Sequence, residues 1–248
     1  HLLAATNPAV VAYDPAFAYE VGHIFKDGLR RKYGENSENI YYYITVYNEP
    51  YMQPAEPENL DVDGLLRGIY LLKSGEKQRK KNAQILASGV GVNWALKAQE
   101  LLQKDWGVSA SVWSVTSWNE LRRDGLEVDS HNLLNPTSKK TAYIAQKLKG
   151  TEGPVVAVSD YMRAVQDQIA PWVPNDFYAL GTDGFGLSDT RGALRRHFKV
   201  DAESIVVATL AQLAKNGDIK ESVVTEAINK YRIFDVTAAD AGNTEGSG

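Results

Sequence analysis

Apolar residues fall into short dense runs separated by amphipathic stretches, and that alternation decides the fold class before any motif is read. Ala9 to Tyr13 is a brief apolar run ended by Asp14-Pro15. Asp14 is suited to cap a helix and Pro15 to open it, having no N–H to lose there. The predicted helix carries Phe17, Val21, Ile24, Phe25 and Gly28 at helical spacing, then Arg30, Arg31 and Lys32 in its last turn, and closes at Gly34. Ile40 to Tyr47, rich in β-branched and aromatic residues, reads as a buried strand and completes a βαβ unit.

From Pro50 the pattern changes. Pro50, Pro54 and Pro57 are followed by Glu56, Glu58, Asp61 and Asp63, then a short apolar patch and the basic run Lys73 to Lys81. Proline and charge runs mark linkers, and the run lacks the interleaved aromatics of a phosphate-binding surface. Beyond Asn82, strands and helices alternate. Ile85 to Gly89, Ser111 to Thr116, Gly153 to Val158 and Phe177 to Leu180 read as strands. Val92 to Trp106 reads as a helix stopped at Gly107, and Ser117 with Glu120 as a capping box. Further helices are predicted from Ser159 or Asp160 to the residue before Pro171, from Asp201 to Lys215 and from Lys220 to Tyr231. Such alternation implies an α/β fold with a mainly parallel sheet flanked by helices.

Composition narrows the function classes. Apolar residues are 44% and charged residues 23%, as expected of a globular chain, and 27 Lys and Arg against 31 Asp and Glu give a net charge of −4. With no large basic face, nucleic acid is not an expected partner, and no apolar run reaches the roughly 18–20 residues of a membrane helix. The absence of cysteine removes disulfides, thiolate metal sites and cysteine nucleophiles, and fits a reducing, cytoplasmic setting. The start, His1-Leu2-Leu3, has neither an initiator Met nor the pattern of a signal peptide, so the chain reads as a fragment or a processed form.

Candidate chemistry is sparse. Ser88-Gly89-Val90-Gly91 sits between a strand and a helix like a dinucleotide turn, but Trp94 stands where a small residue belongs and no acidic residue ends the next strand. It reads as a tight turn. Gly181-Thr-Asp-Gly-Phe-Gly186, followed by Ser188 or Asp189 as cap for a helix bearing Arg191, Arg195 and Arg196, has two readings. One is an anion loop at a helix N-terminus, which Asp183 and Asp189 oppose; the other is a structural turn at an interface. His23, His131 and His197 lack metal-ligand spacing, and no metal site is expected.

Five segments together carry a resemblance. They are Tyr13 to Glu20, Tyr33 to Asn36, Tyr41 to Glu49, Val115 to Leu121 and Leu180 to Gly186, in that order. The chain resembles, over nearly its whole length, the C-terminal part of the homodimeric, acetyl-transferring pyruvate dehydrogenase first-component family, which is transketolase-like. The resemblance implies that residues 1–60 end a pyrimidine-binding domain, 61–82 link, 83–235 form a transketolase C-terminal-like domain, and 236–248 are a disordered tail. It implies an oxidoreductase, part of a pyruvate dehydrogenase complex fed by glycolysis. The enzyme decarboxylates pyruvate on thiamine diphosphate with Mg²⁺ and passes acetyl to a lipoyl domain of the dihydrolipoyl acetyltransferase core. The family's Gly-Asp-Gly and downstream Asn for Mg²⁺, and its cofactor-activating glutamate, have no counterpart here, so this segment alone is expected neither to bind the cofactor tightly nor to turn over.

By resemblance, His1 falls on a family histidine that faces the aminopyrimidine and the substrate, although the preceding Asp and Gly are missing. Asn48 and Glu49 fall where related enzymes place substrate-pocket residues; a strand-end turn leading into Pro50 accounts for them equally well. Two rival readings are another transketolase-like enzyme, such as one for sugar phosphates, and a non-catalytic dimerisation or complex-docking domain.

Overall fold

The computed structural model describes residues 1–76 and 81–239. Two parallel strands, β1 (Val10–Tyr13) and β2 (Tyr41–Ile44), flank helix α1 (Ala18–Tyr33), as the βαβ reading requires. β2 is shorter than the apolar run and is not buried throughout: Tyr41 and Tyr43 face outward while Tyr42 and Ile44 turn inward. Thr45 and Tyr47 leave the strand to act as hydrogen-bond donors. Asp14 does not cap α1. Glu20 does so instead, accepting from the backbone N–H of Ala16 at 2.5 Å and of Phe17 at 3.1 Å. Of the residues at core spacing, Ile24 and Gly28 are buried, but Phe25 is exposed. Gly28 lets the Tyr42 ring pack closely on α1; a Cβ there would stand 3.2 Å from the ring and press on it.

Helix α2 (Val62–Arg67) and strand β3 (Tyr70–Lys73) lie within 61–82, the stretch whose composition marks a linker. Asp61 caps α2 by accepting from Gly64 N–H at 2.9 Å. The basic residues 77–80 lie outside the described residues.

β4 (Asn82–Ala87), β5 (Ser109–Ser114), β6 (Val155–Val158) and β7 (Phe177–Leu180) join β3 in a five-stranded sheet of order β3-β5-β4-β6-β7. All pairs are parallel except the edge pair β3–β5. Alternate strand residues feed two cores. Ile85 and Val112 pack under α3 (Gly91–Trp106) and α8 (Ala202–Lys215), whereas Leu86 and Trp113 pack with α4 (Trp118–Leu134) and α5 (Tyr143–Lys147). β6, buried on both faces, reads as a continuous apolar run in the sequence.

Helix ends follow local chemistry. Gly107 takes φ +63° and ends α3. Ser117 caps α4 by accepting from Glu120 N–H at 3.0 Å, but the reciprocal half of the capping box is absent, since Ser117 N–H donates to Gly68 O instead. The helix expected before Pro171 shrinks to α6 (Ala164–Asp167), followed by a 3₁₀ turn, Ala170–Trp172, that admits the proline. α7 (Arg191–Phe198) is capped by Thr190, not Ser188 or Asp189, and α9 (Glu221–Lys230) lies against α8. In the predicted tail, Val236–Ala238 is a 3₁₀ turn, and 240–248 lie outside the described residues. Among the described residues no helix is long and apolar enough to cross a membrane.

Candidate functional site

Three clusters of polar and aromatic side chains lie where the β1–β2 unit meets the five-stranded sheet. The first surrounds His1. Its ring stands edge-on to Tyr43 and Tyr161, with centroids 5.4 and 4.7 Å away, and both ring nitrogens are buried without a hydrogen-bond partner. Its carbonyl accepts from Asn119 Nδ2 at 3.0 Å. These rings border an open cavity of about 470 Å³ lined also by Leu2, Val10 and Val165, with no Lys or Arg in its wall. Such a wall suits an apolar or aromatic ring; the buried imidazole nitrogens would have to turn outward to exchange a hydrogen bond with it. The wall does not suit a diphosphate, which needs cations or a convergence of N–H groups. Among the described residues, no three His, Asp or Glu side chains converge to hold a metal ion.

The second cluster is the seam itself. The buried Asp14 carboxylate accepts from Thr45 Oγ1 at 2.7 Å, Tyr47 OH at 2.7 Å and Ser88 Oγ at 2.6 Å. Ser88 in turn accepts from Trp118 Nε1 at 3.0 Å. Gly89 explains the Gly-rich turn: its φ is +52°, and a Cβ there would stand 2.2 Å from the Tyr47 hydroxyl. Glu20 repeats the pattern, accepting from Tyr70 OH and Ser114 Oγ at 2.6 Å each besides its two backbone donors. Burial pushes both carboxyls up from the usual range, while these donors pull the other way. Each carboxylate belongs to the first unit, and Ser88, Ser114 and Tyr70 belong to the five-stranded sheet or its turns. They tie the two units together.

The third cluster holds Asn48 and Glu49. Glu49 forms a two-bond ion pair with Arg195, one bond being 3.0 Å, and the Arg195 guanidinium lies 5.0 Å over the Trp94 ring. Arg191 donates to Asn48 Oδ1 at 3.2 Å. With Asp160 and the Gly181–Gly186 loop these groups line a second cavity of about 350 Å³. His1 and the pair Asn48–Glu49 thus face different cavities, joined through Asp160-Tyr161.

The remaining motifs are engaged elsewhere. Asp183 accepts from Arg163 N–H at 3.1 Å and its Nε at 2.6 Å, which fixes the glycine loop against the turn after β6. His23 meets Glu56 at 3.0 Å, His131 meets Ser138 O at 2.9 Å, and His197 stands edge-on to Phe198. Arg196 is buried in a cage of Asp201, Glu203 and the Tyr231 carbonyl. Sequence reasoning missed Glu20, which gathers four donors, and Asp160, which lines the second cavity. The usable signals were an acidic residue in the first turn of α1 next to an apolar run, and an acidic residue directly after β6.

Comparison with known proteins matches this architecture. Residues 68–201 match the transketolase-like TK C-terminal domain, and residues 1–54 match the pyruvate dehydrogenase E1 component middle domain. The chain is 57% identical to the pyruvate dehydrogenase E1 component of Mycolicibacterium smegmatis over 96% of its own length and 26% of that protein's. The Escherichia coli K12 protein of the same name is 47% identical over 94% of the chain and 26% of its own length. The chain therefore spans about a quarter of the curated relatives it matches. Among solved structures, a Pichia stipitis transketolase complex has a TM-score of 0.57 at 17% identity, covering 85% of this chain and 26% of that one. A Campylobacter jejuni transketolase gives 0.57 at 18% identity, covering 85% and 27%. This chain belongs to the transketolase-like TK C-terminal domain family.

Proposed function

We propose that this chain is the end of the middle domain and the C-terminal domain of a pyruvate dehydrogenase first component. The observation that carries the reading is 57% identity sustained over 96% of the chain to a protein of that name. Residues 1–60 then end the pyrimidine-binding domain, 61–82 link, 83–235 form the C-terminal domain and 236–248 are the tail. The whole enzyme, a cytoplasmic homodimer, releases carbon dioxide from pyruvate derived from glycolysis. It hands acetyl to a lipoyl domain of the dihydrolipoyl acetyltransferase core. Thiamine diphosphate with Mg²⁺, when bound, supplies the carbanion-stabilising chemistry.

This segment contributes the imidazole of His1 as a hydrogen-bond or proton-transfer partner. Tyr43 and Tyr161 hold it edge-on and keep water from it. Asn48 and Glu49 act as pocket residues at the second cavity rather than at the His1 wall. The diphosphate and Mg²⁺ fall to the part of the enzyme outside this segment, since the family's Gly-Asp-Gly and downstream Asn have no counterpart in these 248 residues. The isolated 248 residues are accordingly inactive.

In the full-length enzyme carrying this chain, His1→Ala lowers kcat by roughly 10²–10⁴ while the circular dichroism spectrum is unchanged. An unchanged kcat removes His1 from the mechanism. The full-length enzyme turns over pyruvate and not a ketose phosphate; the reverse preference would make it a sugar-phosphate transketolase. Calorimetry of thiamine diphosphate and Mg²⁺ with the isolated segment gives no tight isotherm, and a tight one contradicts the division of labour.

A further inference from the structure

The second cavity lies between the residues that follow β2, the turn after β6 and the loop leading into α7. At about 350 Å³ it has the size of a small-molecule site. Its four charged groups are not equally engaged. Glu49 and Arg195 saturate each other, and Trp94 stacks on the guanidinium. Asp160 and Arg191 remain. The Asp160 carboxylate accepts no hydrogen bond among the described residues, and only the nearby Arg195 charge offsets its burial, which lifts it to about 6. The Arg191 side chain is 47% exposed; it holds Asn48 Oδ1 at 3.2 Å and stands 3.9 Å from Glu49, leaving donors free. Leu187, Leu194 and Phe198 give the same cavity an apolar wall.

A half-buried carboxylate without protein donors has only water to satisfy it, and a bound cationic N–H group offers it a charged partner in place of that water. A guanidinium with free donors matches a carboxylate. Glu49, Asp160, Arg191 and Arg195 sum to zero charge, so a ligand carrying charge of only one sign would leave one end of the cavity unmatched. The geometry points to a binding site for a small zwitterion, an α-amino acid with an apolar side chain. Its ammonium meets Asp160, its carboxylate meets Arg191, and its side chain packs on Leu194 and Phe198. This site is separate from the His1 wall but shares its cavity with Asn48 and Glu49, and its test does not depend on the decarboxylase reading.

The test is titration calorimetry on the full 248-residue chain at neutral pH, with L-leucine and L-phenylalanine as probes. Two truncated probes accompany them: 4-methylpentanoate, which lacks the ammonium, and 3-methylbutylamine, which lacks the carboxylate. Saturable binding of at least one amino acid is expected, with each truncated probe weaker by about tenfold or more. Asp160→Asn and Arg191→Ala each weaken binding by a similar factor, while thermal unfolding stays cooperative. Three results overturn the proposal: no saturable binding of either amino acid into the millimolar range, truncated probes that bind equally well, or variants that bind like the parent.

Discussion

Asp14 is buried and Asp160 half-buried; both follow the end of a parallel strand, and they lie close enough to influence each other's charge. Asp14 accepts from three hydroxyls, drawn from both units. Asp160 accepts from none among the described residues and opens on a cavity. The difference separates two uses of a carboxylate. One saturated by fixed donors holds a structure together, because removing it strands every donor. One left without protein donors on the wall of an open cavity relies on water, and is available to a ligand. By the same criterion Glu20, with two backbone and two hydroxyl donors, belongs with Asp14.

Substitutions can break or sharpen this contrast. The largest effect is expected from Asp14→Ala, which strands Thr45, Tyr47 and Ser88 and loosens Trp118 through Ser88. Urea unfolding should show a loss of about 3 kcal/mol or more; a loss within experimental error would make the seam decorative. Glu20→Gln keeps the shape but replaces an acceptor oxygen with a donor NH₂ facing hydroxyls. It should cost about 2 kcal/mol by the same measurement.

Gly89→Ala combines a φ of +52° with a Cβ that would stand 2.2 Å from the Tyr47 hydroxyl. A cost of about 1–2 kcal/mol is expected from urea unfolding, and because the ring carbons Cζ and Cε2 would also stand 2.5 and 2.6 Å from that Cβ, the added cost should shrink in a Tyr47→Ala background and persist in a Tyr47→Phe one. The last effect has the opposite sign. The folded Asp160 carboxyl stands at about 6 against an ordinary 3.8, so the folded state holds its proton more tightly than the unfolded one. Its stabilising contribution is complete below the ordinary value and is lost as pH rises through about 6. Arg195 opposes this shift, and Asp14 and Glu49 reinforce it. Asp160→Asn, which never ionises, should therefore be more stable than the parent at neutral pH by about 1–3 kcal/mol, with the difference vanishing at low pH. A pH-independent difference would contradict it.

The parts of the fold readable from sequence are those governed by local pattern. β6 and β7 are dense apolar runs with turn residues around them, and α3 has both its apolar face and its Gly107 terminator within one window. The misreadings share one cause. Asp14 has the chemistry of a cap, but it is recruited by Ser88, a partner 74 residues away. The second half of the capping box at Ser117 is lost because Gly68 O takes its N–H. β3 hides in a charged stretch because it is an edge strand with alternating burial. His1, Asn48 and Glu49 were legible only through resemblance. Their placement in two cavities depends on Asp160-Tyr161, whose position is set by the whole sheet.

The most direct measurement is the unfolding free energy of Asp14→Ala and Asp160→Ala, taken side by side at neutral pH. Both remove the same atoms, one set from a buried and saturated site and the other from the wall of a cavity. The account predicts opposite signs: a large loss for Asp14, and no change or a gain for Asp160. Equal losses at both positions would show that Asp160 is as deeply committed to the fold as Asp14, and would contradict the distinction between seam and site.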